Sequence, residues 1–392
     1  MWVRKRHSVV FTIVKPILSI ASKLMFGFTA EKYELEAGKP YLVLSNHQTT
    51  FDQFMVNLSF QRLLYFVATG DIYTLGFVSS IIKYLVAPIS KTKAQKDAIT
   101  IRNCMRVIKE GGAICIFPEG NRTYTGCTEE IDPVIARLVK SLGATLILYN
   151  IEGGYGVEPR WMNSRRKGKM RGFVRKVISP EEIRSMSDNE LFLEIKRGLY
   201  VDSYESDAIF TGDSRAEYIE RALYKCADCG SLETIKSEGN TFSCSACGLT
   251  VEYGEDLRLK VKGENYAHET VRSWYDWQEN AVKNLDLDKY SESDVILSDD
   301  DVNIYLISRE QPKQLLFQGR LAVYKDRFVL TNESVEETYQ LADISDAVTL
   351  NKNNINIAYK DKLYKVAGVS KRFCGLKYSN FFSCIKRVRS SN

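Results

Sequence analysis

The chain has 392 residues, enough for two or three domains of ordinary size and too many for a small peptide or a disulfide-stapled scaffold. Hydrophobic residues make up 44%, charged residues 26% and aromatics 11%, the composition of a folded globular protein rather than a disordered or collagen-like chain. The net charge of +5 is a mild excess that does not by itself imply nucleic acid, so the placement of the basic residues carries the information.

Residues 1–30 hold five Lys or Arg and no acid. Arg4, Lys5 and Arg6 precede an apolar stretch in the manner of a signal peptide, but Lys15 and Lys23 interrupt it and no small-residue cleavage site follows. No uncharged run approaches the 20 or so residues of a spanning helix, and Pro16 is expected to kink or restart a helix. The expectation is a helix or helix pair in the interface of an anionic cytoplasmic leaflet, peripheral or monotopic, with its lysines snorkelling to headgroups. The alternative is a helix packed on the protein's own core.

From residue 31 to about 222, short apolar runs alternate with amphipathic segments. YLVLS, LLYFVA, AICIF and TLILY read as buried strands, and Lys93 to Lys109 and Pro133 to Leu142 as helices. This is the rhythm of an α/β domain, a largely parallel sheet flanked by helices. Eight Lys or Arg and no acid fall between Arg160 and Lys176, a basic edge that suits anionic lipid or a donor's phosphates, or is a solvated basic hairpin. Ser187, with Glu190 three residues on, announces a further helix through a capping box.

Nine cysteines fall into two classes. Cys104, Cys115, Cys127, Cys374 and Cys384 are scattered, whereas Cys226, Cys229, Cys244 and Cys247 form C-x2-C-x14-C-x2-C in a module at 223–254. That spacing, in a reducing compartment, reads as a structural Zn2+ held by four thiolates in a zinc ribbon, with a rubredoxin-like iron site as the minor alternative. Lys236 is the only Lys or Arg between the knuckles, so nucleic acid is not an expected partner. A Trp-rich helix and an acidic linker occupy 255–301. A meander of strands closed by a helix occupies 302–392, a small β-rich module for which a pleckstrin-homology-like barrel is one candidate.

Two fragments carry chemistry. The strand YLVLS runs directly into Asn46-His47-Gln48-Thr49-Thr50-Phe51-Asp52, placing a histidine at the carboxyl end of a strand and a carboxylate five residues on. His47 and Asp52 suit a charge-stabilised general base, or, more plainly, a histidine and an aspartate at a helix start. The strand AICIF runs into Phe117-Pro118-Glu119-Gly120-Asn121-Arg122-Thr123. There Gly120 permits a tight turn, Arg122 offers a planar fork of donors suited to phosphate, and Glu119 can orient it or accept from a hydroxyl.

Together, in this order and each after an expected strand, NHxxxxD and FPEGxR resemble the motifs of the glycerophospholipid acyltransferases, the 1-acylglycerol-3-phosphate acyltransferase-like family, over roughly residues 8–180. The resemblance implies His47 as the base with Asp52, and Glu119, Gly120 and Arg122 at the acceptor's phosphate. Where the family usually has an arginine after a short apolar strand, this chain offers Lys91, with Lys93 nearby. The family's fourth block appears as TLILYNIEGGYGVEPRW, without its usual proline and with a Gly-rich extension. The implied reaction moves an acyl chain from acyl-CoA or acyl-carrier protein to the hydroxyl of lysophosphatidate at a membrane surface, giving phosphatidate. Glycerol 3-phosphate or another lysophospholipid are alternative acceptors, and a catalytically inactive zinc-ribbon scaffold is the reading from another class. Direct transfer needs no nucleophilic cysteine, so Cys104, Cys115 and Cys127 are read as ordinary thiols.

Overall fold

The computed structural model describes residues 2–69, 84, 87–91, 98–308 and 313–390. It has two units, one of Met1–Arg160, Ser164–Gly212 and Glu255–Leu257, the other of Trp161–Asn163, Asp213–Gly254 and Arg258–Asn392.

The first unit is built on seven strands: β1 (Phe28–Ala30), β2 (Tyr41–Ser45), β3 (Leu64–Thr69), β4 (Ile89–Lys91), β5 (Ala113–Ile116), β6 (Thr145–Glu152) and β7 (Met170–Ile178). Their order is β1-β7-β6-β2-β5-β3-β4, a mixed sheet in which β6 and β7 are antiparallel and the other pairings are parallel. Its helices are α1 (Lys5–Phe26), α2 (Asp52–Ser59), α3 (Ala98–Lys109), α4 (Val134–Leu142), α5 (Gly154–Val157), α6 (Pro180–Ser185) and α7 (Asp188–Leu199).

Strands buried on both faces need continuous apolar runs, and β2 is buried at all five positions. Its alternate residues serve opposite faces. Leu42 and Leu44, with Ile114, Leu146 and Leu148, pack under Val107 of α3, Ala136 and Val139 of α4, and Leu191 and Ile195 of α7. Tyr149 turns to the other face, where its hydroxyl meets Ser59 Oγ at 2.6 Å at the end of α2. Each fully buried aliphatic side chain in such a core contributes about 1.5–3 kcal/mol. Because Leu44 is in register with Ile116, the residues leaving β2 and β5 emerge side by side, which brings the two motif loops together.

Helix α1 takes the single-helix form of the expectation and does not restart at Pro16. It is one helix of 22 residues with Pro16 inside it, closed by Gly27, whose N–H reaches the Lys23 and Ser22 carbonyls. Proline removes one N–H from the ladder, and here the turns on both sides continue past the gap. Phe11, Ser22 and Phe26 are buried, while Val9, Ile13, Ile17, Ile20 and Leu24 are 57–80% exposed at helical spacing. By length and composition α1 is long and apolar enough to cross a membrane, its 22 residues spanning about 33 Å at 1.5 Å per residue.

The second unit holds a five-stranded antiparallel sheet, β8 (Ile235–Glu238), β9 (Thr241–Cys244), β10 (Thr250–Tyr253), β11 (Leu259–Val261) and β12 (Glu264–Asn265), ordered β12-β11-β10-β9-β8. The Trp-rich helix α8 (Val271–Lys283) meets β9 where the Trp274 and Phe242 rings lie 5.5 Å apart, and its Gln278 ties the segment that leads into the sheet. That side chain, fully buried, accepts from the Tyr224 and Lys225 N–H groups and donates to the Ala222 carbonyl. Seven further antiparallel strands follow: β13 (Leu297–Ile307), β14 (Gln314–Val323), β15 (Arg327–Thr331), β16 (Glu336–Gln340), β17 (Ile344–Leu350), β18 (Asn354–Tyr359) and β19 (Lys362–Gly368). Their order is β16-β15-β14-β13-β19-β18-β17, and helix α9 (Gly375–Ser390) packs against β17 and β18. Residues 297–301, read as acidic linker, are the first half of β13: Asp299 pairs with Leu321 and accepts from the Tyr378 hydroxyl at 2.6 Å, so its charge has a partner within the sheet's own unit.

Candidate active site

The loop after β2 is tied down at each residue. Asn46 continues the strand with its side chain, donating to the Ile151 carbonyl at 2.8 Å and accepting from the Ile151 N–H at 2.7 Å. The His47 N–H donates to Glu119 Oε1 at 2.7 Å, and the His47 carbonyl accepts from the Thr123 N–H at 3.1 Å. Gln48 Oε1 accepts from the N–H groups of Gly154 and Tyr155, and the Thr50 hydroxyl donates to Glu158. The Gly-rich extension thus forms a clamp on the histidine loop. Gly153 opens α5 with φ +79°, and a Cβ there would lie 2.2 Å from the Lys169 carbonyl oxygen, so the clamp requires glycine.

His47 Nδ1 lies 2.8 Å from Asp52 Oδ2. Asp52 is fully buried at the start of α2 and also accepts from the Gln48 N–H (2.6 Å), the Thr49 N–H (2.9 Å) and the Thr49 hydroxyl (2.5 Å). Four donors fill its acceptor capacity, so Nδ1 is the protonated nitrogen and Nε2 keeps its lone pair. Among the described residues no hydrogen bond occupies Nε2. The imidazole stacks on Phe117, centroids 4.3 Å apart at 18°, and its side chain keeps 19% exposure. Burial pushes its pKa below 6.5, with the nearby charges of Arg122 and Arg160 adding to that effect against Asp52, which raises it. The group is therefore neutral near pH 7 and able to accept a proton.

Residues 29–151 match the Acyltransferase family. This segment is an acyltransferase domain. The 1-acyl-sn-glycerol-3-phosphate acyltransferase LPAT1, chloroplastic, of Arabidopsis thaliana is 25% identical over 88 residues, 22% of this chain, and the match spans about a quarter (24%) of that relative's length. The 1-acyl-sn-glycerophosphate (LPA) acyltransferase PlsC of Thermotoga maritima aligns with 49% of this chain and 78% of its own, at 18% identity and a TM-score of 0.41.

In the second motif loop Glu119 also has a part within the fold. Both of its oxygens are occupied, Oε1 by the His47 N–H and Oε2 by the Glu129 N–H at 2.7 Å. Burial drives its pKa well above the usual carboxylate range, and Glu129 and Asp52 add to the rise. A carboxyl group so engaged holds the backbone under the histidine, with one N–H on each oxygen. Gly120 takes φ +70° and donates to the Phe117 carbonyl at 3.1 Å, the turn that brings Arg122 inward. Arg122 is 8% exposed. Lys91 closes β4; its side chain, and all of Lys93, lie outside the described residues.

Sequence reasoning missed Glu158, Arg160 and the clamp at 153–157. Arg160 Nη1 donates to the Arg122 carbonyl at 3.0 Å, and its guanidinium lies 4.2 Å from the centre of the Tyr124 ring. The signals in the chain were the Gly-rich departure just before Arg160 and the basic run that it opens.

In the second unit, the Sγ atoms of Cys226, Cys229, Cys244 and Cys247 all lie within 4.8 Å of one another. Cys226–Cys247 are 3.8 Å apart and Cys229–Cys244 3.7 Å, with no disulfide among them. A tetrahedron with metal–sulfur bonds of about 2.3 Å has edges of about 3.8 Å, so the donor set fits a four-thiolate metal. The two knuckles repeat each other: the Gly230 N–H donates to the Cys226 carbonyl and the Gly248 N–H to the Cys244 carbonyl.

Proposed function

We propose that this chain transfers a fatty acyl group from a thioester, acyl-CoA or acyl-carrier protein, to the free hydroxyl of 1-acylglycerol 3-phosphate, giving phosphatidate. The observation that carries the reading is the His47–Asp52 pair, with Nδ1 held at 2.8 Å by a filled carboxylate and Nε2 left available. His47 Nε2 takes the hydroxyl proton as the oxygen attacks the thioester carbonyl. The tetrahedral intermediate collapses with loss of the thiolate, which takes the proton back from Nε2. No covalent acyl-enzyme forms. Arg122 binds the acceptor's phosphate, Lys91 standing where a second cation is expected, and Glu119 and Gly120 shape the turn. Glycerol 3-phosphate and other lysophospholipids are the alternative acceptors.

The test is transfer of labelled acyl groups from both donors to lysophosphatidate, other lysophospholipids and glycerol 3-phosphate; absence of transfer from either donor to any acceptor would leave the inactive scaffold. The depressed pKa of His47 gives a second expectation. As a base it works when neutral, so kcat/KM rises with pH through an acid limb placed below 6.5 and is flat above it. An acid limb above 6.5 contradicts the assignment.

Cys226, Cys229, Cys244 and Cys247 would hold a structural zinc, which supplies cross-linking of a module with little core. The strand order of β13–β19 with its closing helix supports a pleckstrin-homology-like module. The outward stripe of α1, with Phe54 of α2 39% exposed and linked to it through the Phe26–Phe51–Phe54 rings, supports docking on the cytoplasmic face of an anionic membrane. In vesicle sedimentation, replacing both Ile13 and Ile17 by Asp is expected to weaken binding by roughly 100-fold or more; unchanged sedimentation would remove α1 as the docking element.

A further inference from the structure

Two guanidinium groups are buried together beside the histidine. Arg122 is 8% and Arg160 3% exposed, and Arg160 holds the Arg122 carbonyl. Its Nη2 also reaches Asn121 Oδ1 at 3.4 Å. A member of a solvated basic hairpin would be exposed, as Lys169 and Arg171 of the same run are. Arg122 Nη1 is buried with no hydrogen-bond acceptor among the described residues. Burial, and next the charge of Arg160, push the Arg122 pKa down, the sign of two like charges held close in a place poor in water. The buried acid whose charge acts most on Arg122, Glu158, is engaged by Thr50, and Arg165 lies 4.0 Å from it. A buried, charged donor without an acceptor is costly unless an anion fills it.

We infer that Arg160 and Arg122 form a two-guanidinium pocket that selects acceptors bearing a phosphate monoester over those whose phosphate is a diester, with Arg160 the specificity-determining residue. This rests on the acyl-transfer reading above. A phosphate monoester loses its second proton near pH 6 and carries close to two negative charges at pH 7, whereas a diester carries one. One guanidinium fork satisfies one edge of a phosphate, and a dianion uses two. The pocket is coupled to the base through the backbone, because Thr123, the residue after Arg122, donates its N–H to the His47 carbonyl. An acceptor seated by its phosphate there presents its hydroxyl on the histidine side.

The full chain, wild type and Arg160→Gln, is assayed with lysophosphatidate and with lysophosphatidylglycerol of the same acyl chain. The ratio of the two kcat/KM values is expected to fall about tenfold or more in the variant, chiefly through KM for the monoester; Arg160→Lys, which keeps the charge and loses the fork, falls between. A merely structural Arg160 would depress both acceptors equally and leave the ratio unchanged, which overturns the proposal. A second readout is independent of turnover: inorganic phosphate is expected to raise the Tm of the wild type more than that of Arg160→Gln, and equal shifts, or none in the wild type, overturn it. Arg160→Lys supplies the same comparisons should glutamine prevent folding. Absence of acyl transfer by the wild type counts against the catalytic reading, while the phosphate shift tests the pocket separately.

Discussion

His47→Ala is expected to lower kcat for acyl transfer by about 10²- to 10⁴-fold, the usual worth of a positioned general base, with the fold retained. The imidazole is partly exposed and packs mainly on one ring, Phe117, so its loss opens a shallow gap rather than a sealed cavity. Asp52 keeps three of its four donors, the Gln48 and Thr49 N–H groups and the Thr49 hydroxyl, and the loop stays closed. Circular dichroism and Tm measured beside the transfer rate separate chemistry from folding. Asp52→Ala is a poorer probe, since it strands those buried donors at about 1–3 kcal/mol each. A His47→Ala protein that turns over at the wild-type rate would remove His47 as the base.

Removal of metal is expected to have the largest effect on stability. Four-thiolate zinc modules gain of order 10 kcal/mol or more from the ion, and Cys226 and Cys244 are 0% and 2% exposed, so their thiolates have no solvent to turn to. The purified chain is expected to carry one equivalent of zinc, and both a strong chelator and Cys226→Ser are expected to unfold the module. The Trp274 indole N–H, which donates to the Lys225 carbonyl at 2.9 Å, makes tryptophan fluorescence a local reporter of that loss. Unchanged Tm and fluorescence in both treatments would show that the cysteines hold no structural metal.

How much could be read beforehand follows from the range of each interaction. His47 and Asp52 are five residues apart, and their pairing is a local matter of one loop and one helix start. The buried strands were equally plain, because parallel strands covered on both faces cannot hide their apolar runs. Contacts between distant segments were not visible in this way. The ties from Gln48 to Gly154 and from Thr50 to Glu158 cross more than a hundred residues, and composition marks such glycines only as a departure from pattern. The backbone ties of Glu119 were hidden for the same reason: the His47 and Glu129 N–H groups that it accepts from come from 72 residues before it and ten after it. Arg160 sat in a run of eight cations whose other members are mostly surface groups; burial sets it and Arg166 apart, and the bond to the Arg122 carbonyl sets Arg160 beside the motif loop.

The pairing of β1 bears on the order of assembly during synthesis. β1 lies at the edge of its sheet, and its neighbour is β7, where Phe28 meets Met170 and Ala30 meets Gly172. A ribosome adding about 5–20 residues per second needs roughly ten seconds to move from one strand to the other, and more before β7 clears the exit tunnel. Through that interval the strand following α1 has not met its β7 neighbour, and the outward stripe of Ile13, Ile17, Ile20 and Leu24 emerges ahead of most of the chain. On the docking reading proposed above, the helix then has the opportunity to meet lipid while the domain behind it is still being made.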